Sequence, residues 1–449
     1  MNSSLSLDQI TNNFREIHPP LNRAEAAFEA NRCLYCYDAP CTQACPTHID
    51  VPAFIKKIAS GNLTGSARVI LDANPIGSTC SRVCPVEALC EGACVENTLM
   101  KQPIQIGRLQ RYAMDHVLSK GIDVFKAGAA NGKSVGIIGS GPAGLSCAMY
   151  LARLGYMVTV YERRAKAGGL GTYGMAEYKM TQQHSADEVA MIERLGVQFR
   201  LNCEVGRDVT FADLEAAHDA VFIGVGLGAT NKLGIAGEEL AGVYDALEFI
   251  EHIKTRDWAN VPMAKRIAVI GAGNTAIDAV TQAKRLGAEQ VLMIYRRTQK
   301  EMSAYEYEYE LAKQDAVEFR WQTTPIEIVA DATGKQVAAL RCVRTELQDG
   351  KLVNVVGSEF NLPVEMVIKA IGQQKQRSFL ATVPGINIDA AGRVVVNAVT
   401  MQTDNPKYFA GGDCVNGGAE AVDAAQHGKH AAMGIHQFLM GEAVTFAGA

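Results

Sequence analysis

Eight of the twelve cysteines in this 449-residue chain fall between Cys33 and Cys94. Their spacing reads Cys33-x2-Cys36-x4-Cys41-x3-Cys45-Pro46, then Cys80-x3-Cys84-Pro85, then Cys90-x3-Cys94. Thiolates are soft ligands, and thiolates in fours with proline following a cysteine suit [4Fe–4S] clusters. Short spacings let one loop wrap a cluster corner while its backbone N–H groups face the sulfides. The alternative is a pair of structural zinc sites, which favour paired C-x2-C knuckles. One such knuckle exists here, Cys33–Cys36.

A second chemistry is written in glycines. Gly139-Ser140-Gly141-Pro142-Ala143-Gly144 follows an apolar run and opens a helical pattern. Such glycines permit a tight turn and close approach of a pyrophosphate to a helix N-terminus. Glu162 ends the next apolar run, where a carboxylate can take ribose hydroxyls. Gly271-Ala272-Gly273-Asn274-Thr275-Ala276 repeats the arrangement, but its next strand ends in Arg296-Arg297. Guanidinium groups at that place suit a 2′-phosphate, although a solvated basic pair reads the same way. The nucleotide is therefore written NAD(P)H.

These motifs need elements to hold them. SVGIIG and RIAVIG read as buried parallel strands, each followed by a helix and another strand. The expected fold class is α/β: an N-terminal α-helical double [4Fe–4S] domain followed by two Rossmann-like dinucleotide-binding domains. The helical iron–sulfur domain is expected at 1–125. The FAD-binding domain is expected at 130–260 and 373–449, with the NAD(P)-binding domain inserted at 261–372. Ala370, Ile371 and Gly372 would form the crossing between the two, beside the nicotinamide. The formal net charge is −5, with 48% hydrophobic and 20% charged residues. That balance gives no prior for nucleic acid or an anionic membrane. The polar start MNSSLSLDQITNNFREIHPP carries no apolar core of a signal peptide, so a cytoplasmic protein is expected. A disulfide framework is then not expected either.

Together these segments resemble the flavin and nicotinamide module of dihydropyrimidine dehydrogenase, and more distantly the small subunit of glutamate synthase. The resemblance runs through NRCLYCYDAPCTQACPTHIDV, CSRVCPVEALCEGAC, PIQIGRLQRYA, GGLGTYGMAEYKM and MQTDNPKYFAGGDC. It implies that Cys33, Cys36, Cys41 and Cys94 hold one cluster. Cys45, Cys84, Cys90 and Gln110 would hold the other, leaving Cys80 as a structural thiol. It places FAD at the first glycine motif, with Gly412-Asp413 at the ribityl chain and Gly169-Leu170 at the flavin. Lys179 and Val205 join the expected FAD contacts. The activity implied is electron input to dihydropyrimidine dehydrogenase, from NAD(P)H through FAD and two clusters. The partner would be an FMN- and iron–sulfur-containing subunit, in a two-plus-two hetero-oligomer, that reduces uracil or thymine. A glutamate synthase small subunit, or a related NAD(P)H:acceptor oxidoreductase subunit, is the alternative. Disulfide reductases of similar fold need a cysteine pair, whereas Cys147 and Cys342 each stand alone, and Cys203 and Cys414 read as packing. No acid or base of this chain is expected to be catalytic, because the cofactors carry the chemistry.

Overall fold

The structure, a computed structural model, describes residues 5–255, 258 and 260–448. The chain divides into two compact units. One comprises His18–Thr172, Gln182–Gly228 and Lys375–Ala449; the other comprises the residues up to Ile17, Tyr173–Thr181 and Ala229–Gln374.

In the first unit, β1 (Ser134–Ile138), β2 (Met157–Tyr161), β3 (Gln198–Arg200), β4 (Ala220–Ile223) and β14 (Tyr408–Ala410) form a parallel sheet in the order β14-β4-β1-β2-β3. Val135, Ile137, Val160 and Phe222 are fully buried. This is the continuous apolar character of strands covered on both faces.

The N-terminal helices of this unit are α1 (Arg23–Asn31), α2 (Val51–Ala59), α3 (Leu63–Ala73), α4 (Gly77–Val83) and α5 (Ile106–Ser119). Local chemistry starts them. Asn22 caps α1 through its side-chain oxygen, and Asp50 accepts from Ala53 N to cap α2. On α5 the buried positions Leu109, Gln110, Ala113, Met114 and Val117 follow helical spacing, so Gln110 sits on the inward stripe. These helices share one core with the sheet through α6 (Pro142–Arg153). Tyr150 Oη donates to Asp72 O at 2.9 Å, and Arg153 pairs with Asp72 at 2.5 Å. Helices α7 (Gln182–Glu193) and α9 (Ala421–Met440) complete the unit.

The second unit is built on a parallel sheet of β5 (Val243–Asp245), β6 (Arg266–Ile270), β7 (Gln290–Ile294), β8 (Glu318–Arg320) and β13 (Met366–Lys369), ordered β5-β13-β6-β7-β8. Helix α8 (Asn274–Arg285) follows β6. The antiparallel strands β9 (Thr323–Ala330), β10 (Val337–Gln348), β11 (Lys351–Asn354) and β12 (Phe360–Pro363) make a smaller sheet.

Two sequence-based boundaries can be set beside these units. The line at residue 261 falls inside the second unit, because β5 pairs with β13 well before that position. Residues 18–125 pack with the first sheet in one unit.

Candidate functional site

Cys33, Cys36, Cys41 and Cys94 line a single cavity walled by Pro40, Val51, Ile55 and Ile104. Burial raises the Cys33 thiol, and Cys36 and Cys94 add to the rise. Burial pushes Cys41 up to about 12, again with Cys94 beside it. Thiols in such a place give up their protons only to a strong cationic centre. Three non-glycine residues in the left-handed region lie among or just after the cysteines of the Cys33–Cys45 segment: Tyr35 (φ 51°), Ala39 (φ 36°) and His48 (φ 49°). Each costs about 1–3 kcal/mol, and such residues gather where a ligand clamp holds them. Among the described residues no three His, Cys, Asp or Glu side chains close around a single ion. Four thiols spread around one apolar cavity fit a polynuclear cluster.

Cys45, Cys84 and Cys90 gather as a second group, and Cys80 joins them. The Cys84 thiol is raised by its hydrogen bond with Cys80, then by burial, then by Cys80, Cys45 and Cys90. Burial likewise raises Cys90, with Glu91 and Cys45 contributing and Cys41 of the first group among its neighbours. Gln110 is buried, and its amide nitrogen donates to Gly77 O at 2.7 Å. That bond leaves its oxygen as the atom able to face a metal. Helix α4, which carries Cys80 and leads into Cys84, is fixed at its start by Glu188 of α7. The Glu188 carboxylate accepts from Ser78 N (2.7 Å), Thr79 N (3.0 Å) and Thr79 Oγ1. Burial pushes Glu188 up to about 7 despite these donors.

The first glycine motif lies at the carboxyl end of β1. A Cβ on Gly144 would sit 2.0 Å from Gly139 O, and one on Gly169 would sit 2.7 Å from Gly141 Cα. Only bare backbone allows these turns to meet, and Gly169 (φ 55°) also holds a left-handed conformation. Glu162 Oε2 accepts from Ser140 N (3.1 Å) and Ser140 Oγ (2.6 Å), and Oε1 accepts from Arg164 N (2.9 Å). A carboxylate has about four acceptor positions, so room remains for a hydroxyl. Pro142 and Ala143 start α6, and proline at the first helical position leaves no N–H unused. Leu170 opens the short helix Leu170–Tyr173. Val205 is buried in a bridge with Val209. Gly412 (φ 74°) donates its N–H to His427 Nδ1 at 3.1 Å. Burial raises the Asp413 carboxyl, against Ala419 N–H and Lys375. The Asn416 Nδ2 beside it is buried with no partner. This glycine cradle with an orphaned donor fits a dinucleotide such as FAD.

In the second unit a cavity of about 620 Å³ is lined by Gly271, Gly273, Thr275, Arg296, Ala370, Ile371 and Gly372. Gly271 (φ 130°) approaches β13 so closely that a Cβ would meet Ala370 O at 2.2 Å. Asn274 Oδ1 accepts from Tyr305 N at 3.2 Å, which ties the motif to the next segment. Arg296 is exposed at the cavity, while Arg297 lies 3.9 Å from Glu301.

Residues 10–122 match the family of dihydropyrimidine dehydrogenase domain II, 4Fe-4S cluster. Residues 133–428 match the pyridine nucleotide-disulphide oxidoreductase family. The chain belongs to that family. The glutamate synthase (NADPH) small chain of Escherichia coli K12 is 36% identical over 95% of this chain and 94% of its own length. The NAD-dependent dihydropyrimidine dehydrogenase subunit PreT of Salmonella typhimurium LT2 is 33% identical over 94% of this chain and 97% of its own. Mycobacterium tuberculosis FprA in complex with NADPH has a TM-score of 0.56 at 20% identity, covering 70% of this chain and 87% of its own. That likeness shows the shared fold.

This member of the pyridine nucleotide-disulphide oxidoreductase family is an iron–sulfur flavoprotein that uses FAD, NAD(P)H and [4Fe–4S] clusters. Cys147 is fully buried in α6, where burial holds its thiol well above the ordinary range. Cys342 is buried in β10. Among the described residues no helix is long and apolar enough to cross a membrane.

Lys179 lies in the second unit, buried, with its ammonium between Asp278 (2.7 Å) and Glu308. Burial works against its charge, and Asp278 and Glu308 together outweigh burial and hold it charged. Sequence reasoning missed His427, Asn416 and Glu188. None lies in a motif, and each acts on residues distant in the chain or on a turn it caps.

Proposed function

We propose that this chain is the electron-input subunit of a dihydropyrimidine dehydrogenase. In this reading an FMN- and iron–sulfur-containing partner subunit reduces uracil or thymine to the 5,6-dihydro form. The observation that carries it is Gln110, buried on α5 with its nitrogen bonded to Gly77 O of α4, the helix that carries Cys80 and leads into Cys84. A neutral amide oxygen then completes a ligand set with Cys45, Cys84 and Cys90, and Cys33, Cys36, Cys41 and Cys94 hold the other cluster.

When bound, FAD and the clusters convert a two-electron hydride into single electrons. The chain's own part is to bind and orient. Ser140, Gly141, Gly144 and Glu162 seat one dinucleotide, with Gly412 and Asp413 at its far side. Gly273, Thr275 and Arg296 seat the nicotinamide nucleotide. The apolar walls around Cys33 and Cys94 keep water from the metal.

A second reading, a glutamate synthase small chain, has in its favour the 36% identity over nearly the full length of that relative. Gln110→Ala tests the first. In the chain co-expressed with an FMN-barrel partner, uracil-dependent NAD(P)H oxidation should be lost while ferricyanide reduction by NAD(P)H persists. Uracil-dependent activity at the wild-type rate would refute the role of Gln110.

A further inference from the structure

Helix α9 reaches both redox regions of the first unit. His427, on its second turn, accepts the Gly412 N–H at the FAD cradle. Two residues later Lys429 faces the cysteine loops. Its side chain is 0% exposed. Nζ donates to Thr47 O (3.1 Å), Ala447 O (2.9 Å) and Gly448 O (3.0 Å). Thr47 Oγ1 in turn lies 3.4 Å from Cys45 Sγ.

Among the described residues, the hydrogen-bond partners of this ammonium are neutral carbonyls. A buried cation held only by dipoles is costly unless an anion lies nearby. Burial pulls the Lys429 ammonium down to about 8, and Cys45 and then Asp72 act against that pull to favour its charged form. The ammonium uses all three of its donors, so it is fixed in place rather than swinging to solvent. Phe446, just ahead of two of those carbonyls, packs against Tyr150 of α6 with ring centroids 4.4 Å apart and planes tilted by 42°.

We propose that Lys429 is a positioning residue for the second cluster: it anchors the Cys45 loop and raises that cluster's reduction potential. This rests on the reading of Cys45 as a ligand. With three thiolates and neutral Gln110, an oxidised core of two positive charges leaves one net negative charge. One-electron reduction adds a second, the electron coming from FAD reduced by NAD(P)H. A fixed cation beside Cys45 favours the more negative state, and a buried site screens it little.

The test is a mediated potentiometric titration of the full chain, followed by electron paramagnetic resonance, with iron and sulfide assayed on each sample. Gln110→Cys assigns the second cluster's signal. Cys84→Ser decides the ligand reading separately, because it must remove that signal whatever Lys429 does. Lys429→Gln keeps amide donors for the carbonyls but removes the charge. It should retain full iron and make reduction of the second cluster about tenfold less favourable, about 59 mV for one electron. The first cluster should not move, and Lys429→Arg should stay near wild type. A Lys429→Gln protein with full iron and an unchanged potential would overturn the proposal. So would an Arg variant shifted as far as the Gln variant. Loss of the second cluster's iron in Lys429→Gln would make Lys429 structural only, and would overturn the electrostatic role.

Discussion

Gly428 lies between the two side chains that make α9 functional, His427 and Lys429, and its replacement by alanine has a decisive sign. A Cβ at this position would stand 2.3 Å from Ala143 O and 2.8 Å from Cys147 N, both backbone atoms of α6. Ordinary contact is about 3.5 Å, so the helices would have to part by roughly 1 Å. Overpacking of this kind costs about 3 kcal/mol at the upper end of its usual range, because no flexible side chain can yield. Against that, alanine in a helix interior gains about 1 kcal/mol over glycine. The net loss is roughly 2 kcal/mol. For a unit of this size that lowers the melting temperature by about 4–8 °C. Circular dichroism should show the drop, and fluorescence of released flavin should show the cofactor leaving at the same lowered temperature. If α6 and α9 did not cross this closely, helix propensity alone would act and Gly428→Ala would raise the melting temperature. An unchanged or raised value would refute the packing argument.

The ligand sets, the nucleotide and one buried acid give further tests. Cys84→Ser should remove about half of the bound iron and sulfide, whereas Cys80→Ala should retain it; the reverse pattern would make Cys80 the ligand. Arg296→Ala should raise the KM for NADPH about tenfold, a loss of about 1.4 kcal/mol, with kcat unchanged and NADH unaffected. Ferricyanide reduction measures this, and equal effects on both nucleotides would remove Arg296 from 2′-phosphate recognition. Glu188 is pushed up to about 7 from an ordinary 4.5, so the folded chain binds its proton more tightly than the unfolded chain. Its stabilising contribution is complete below about 4.5 and is lost as pH rises through about 7, up to roughly 3 kcal/mol. Glu188→Gln should flatten that slope, so its melting temperature should gain on wild type between about pH 5 and about pH 8; a constant difference would contradict the assignment.

Much of this site was legible in the sequence because its signals are local. Glycine spacing after an apolar strand marks a dinucleotide cradle, and Gly144 and Gly271 sit where any side chain would strike backbone. The resemblance, not the cysteine spacing, paired Cys94 with Cys33, Cys36 and Cys41, which line one cavity. What escaped was non-local. Glu188 lies 109 residues from the Thr79 that it caps, and Lys429 lies 382 residues from Thr47. Periodicity carries no information about such pairs. The carboxylates that hold Lys179 likewise come from far along the chain, at residues 278 and 308. Cys80 was set aside on the resemblance alone, yet the fold places it on Cys84 one helical turn later. The unit boundary escaped for the same reason, since β5 is short and gains its meaning only by pairing with β13.

The central claim is that electrons entering this chain leave it for a pyrimidine-reducing partner. The most direct measurement is NAD(P)H oxidation by the chain co-purified with an FMN-barrel subunit, compared with the chain combined with a large glutamate synthase subunit. The account predicts oxidation that depends on uracil or thymine in the first pairing, with dihydropyrimidine formed in equal amount, and none that depends on glutamine and 2-oxoglutarate in the second. Glutamine-dependent oxidation with no response to uracil would contradict it.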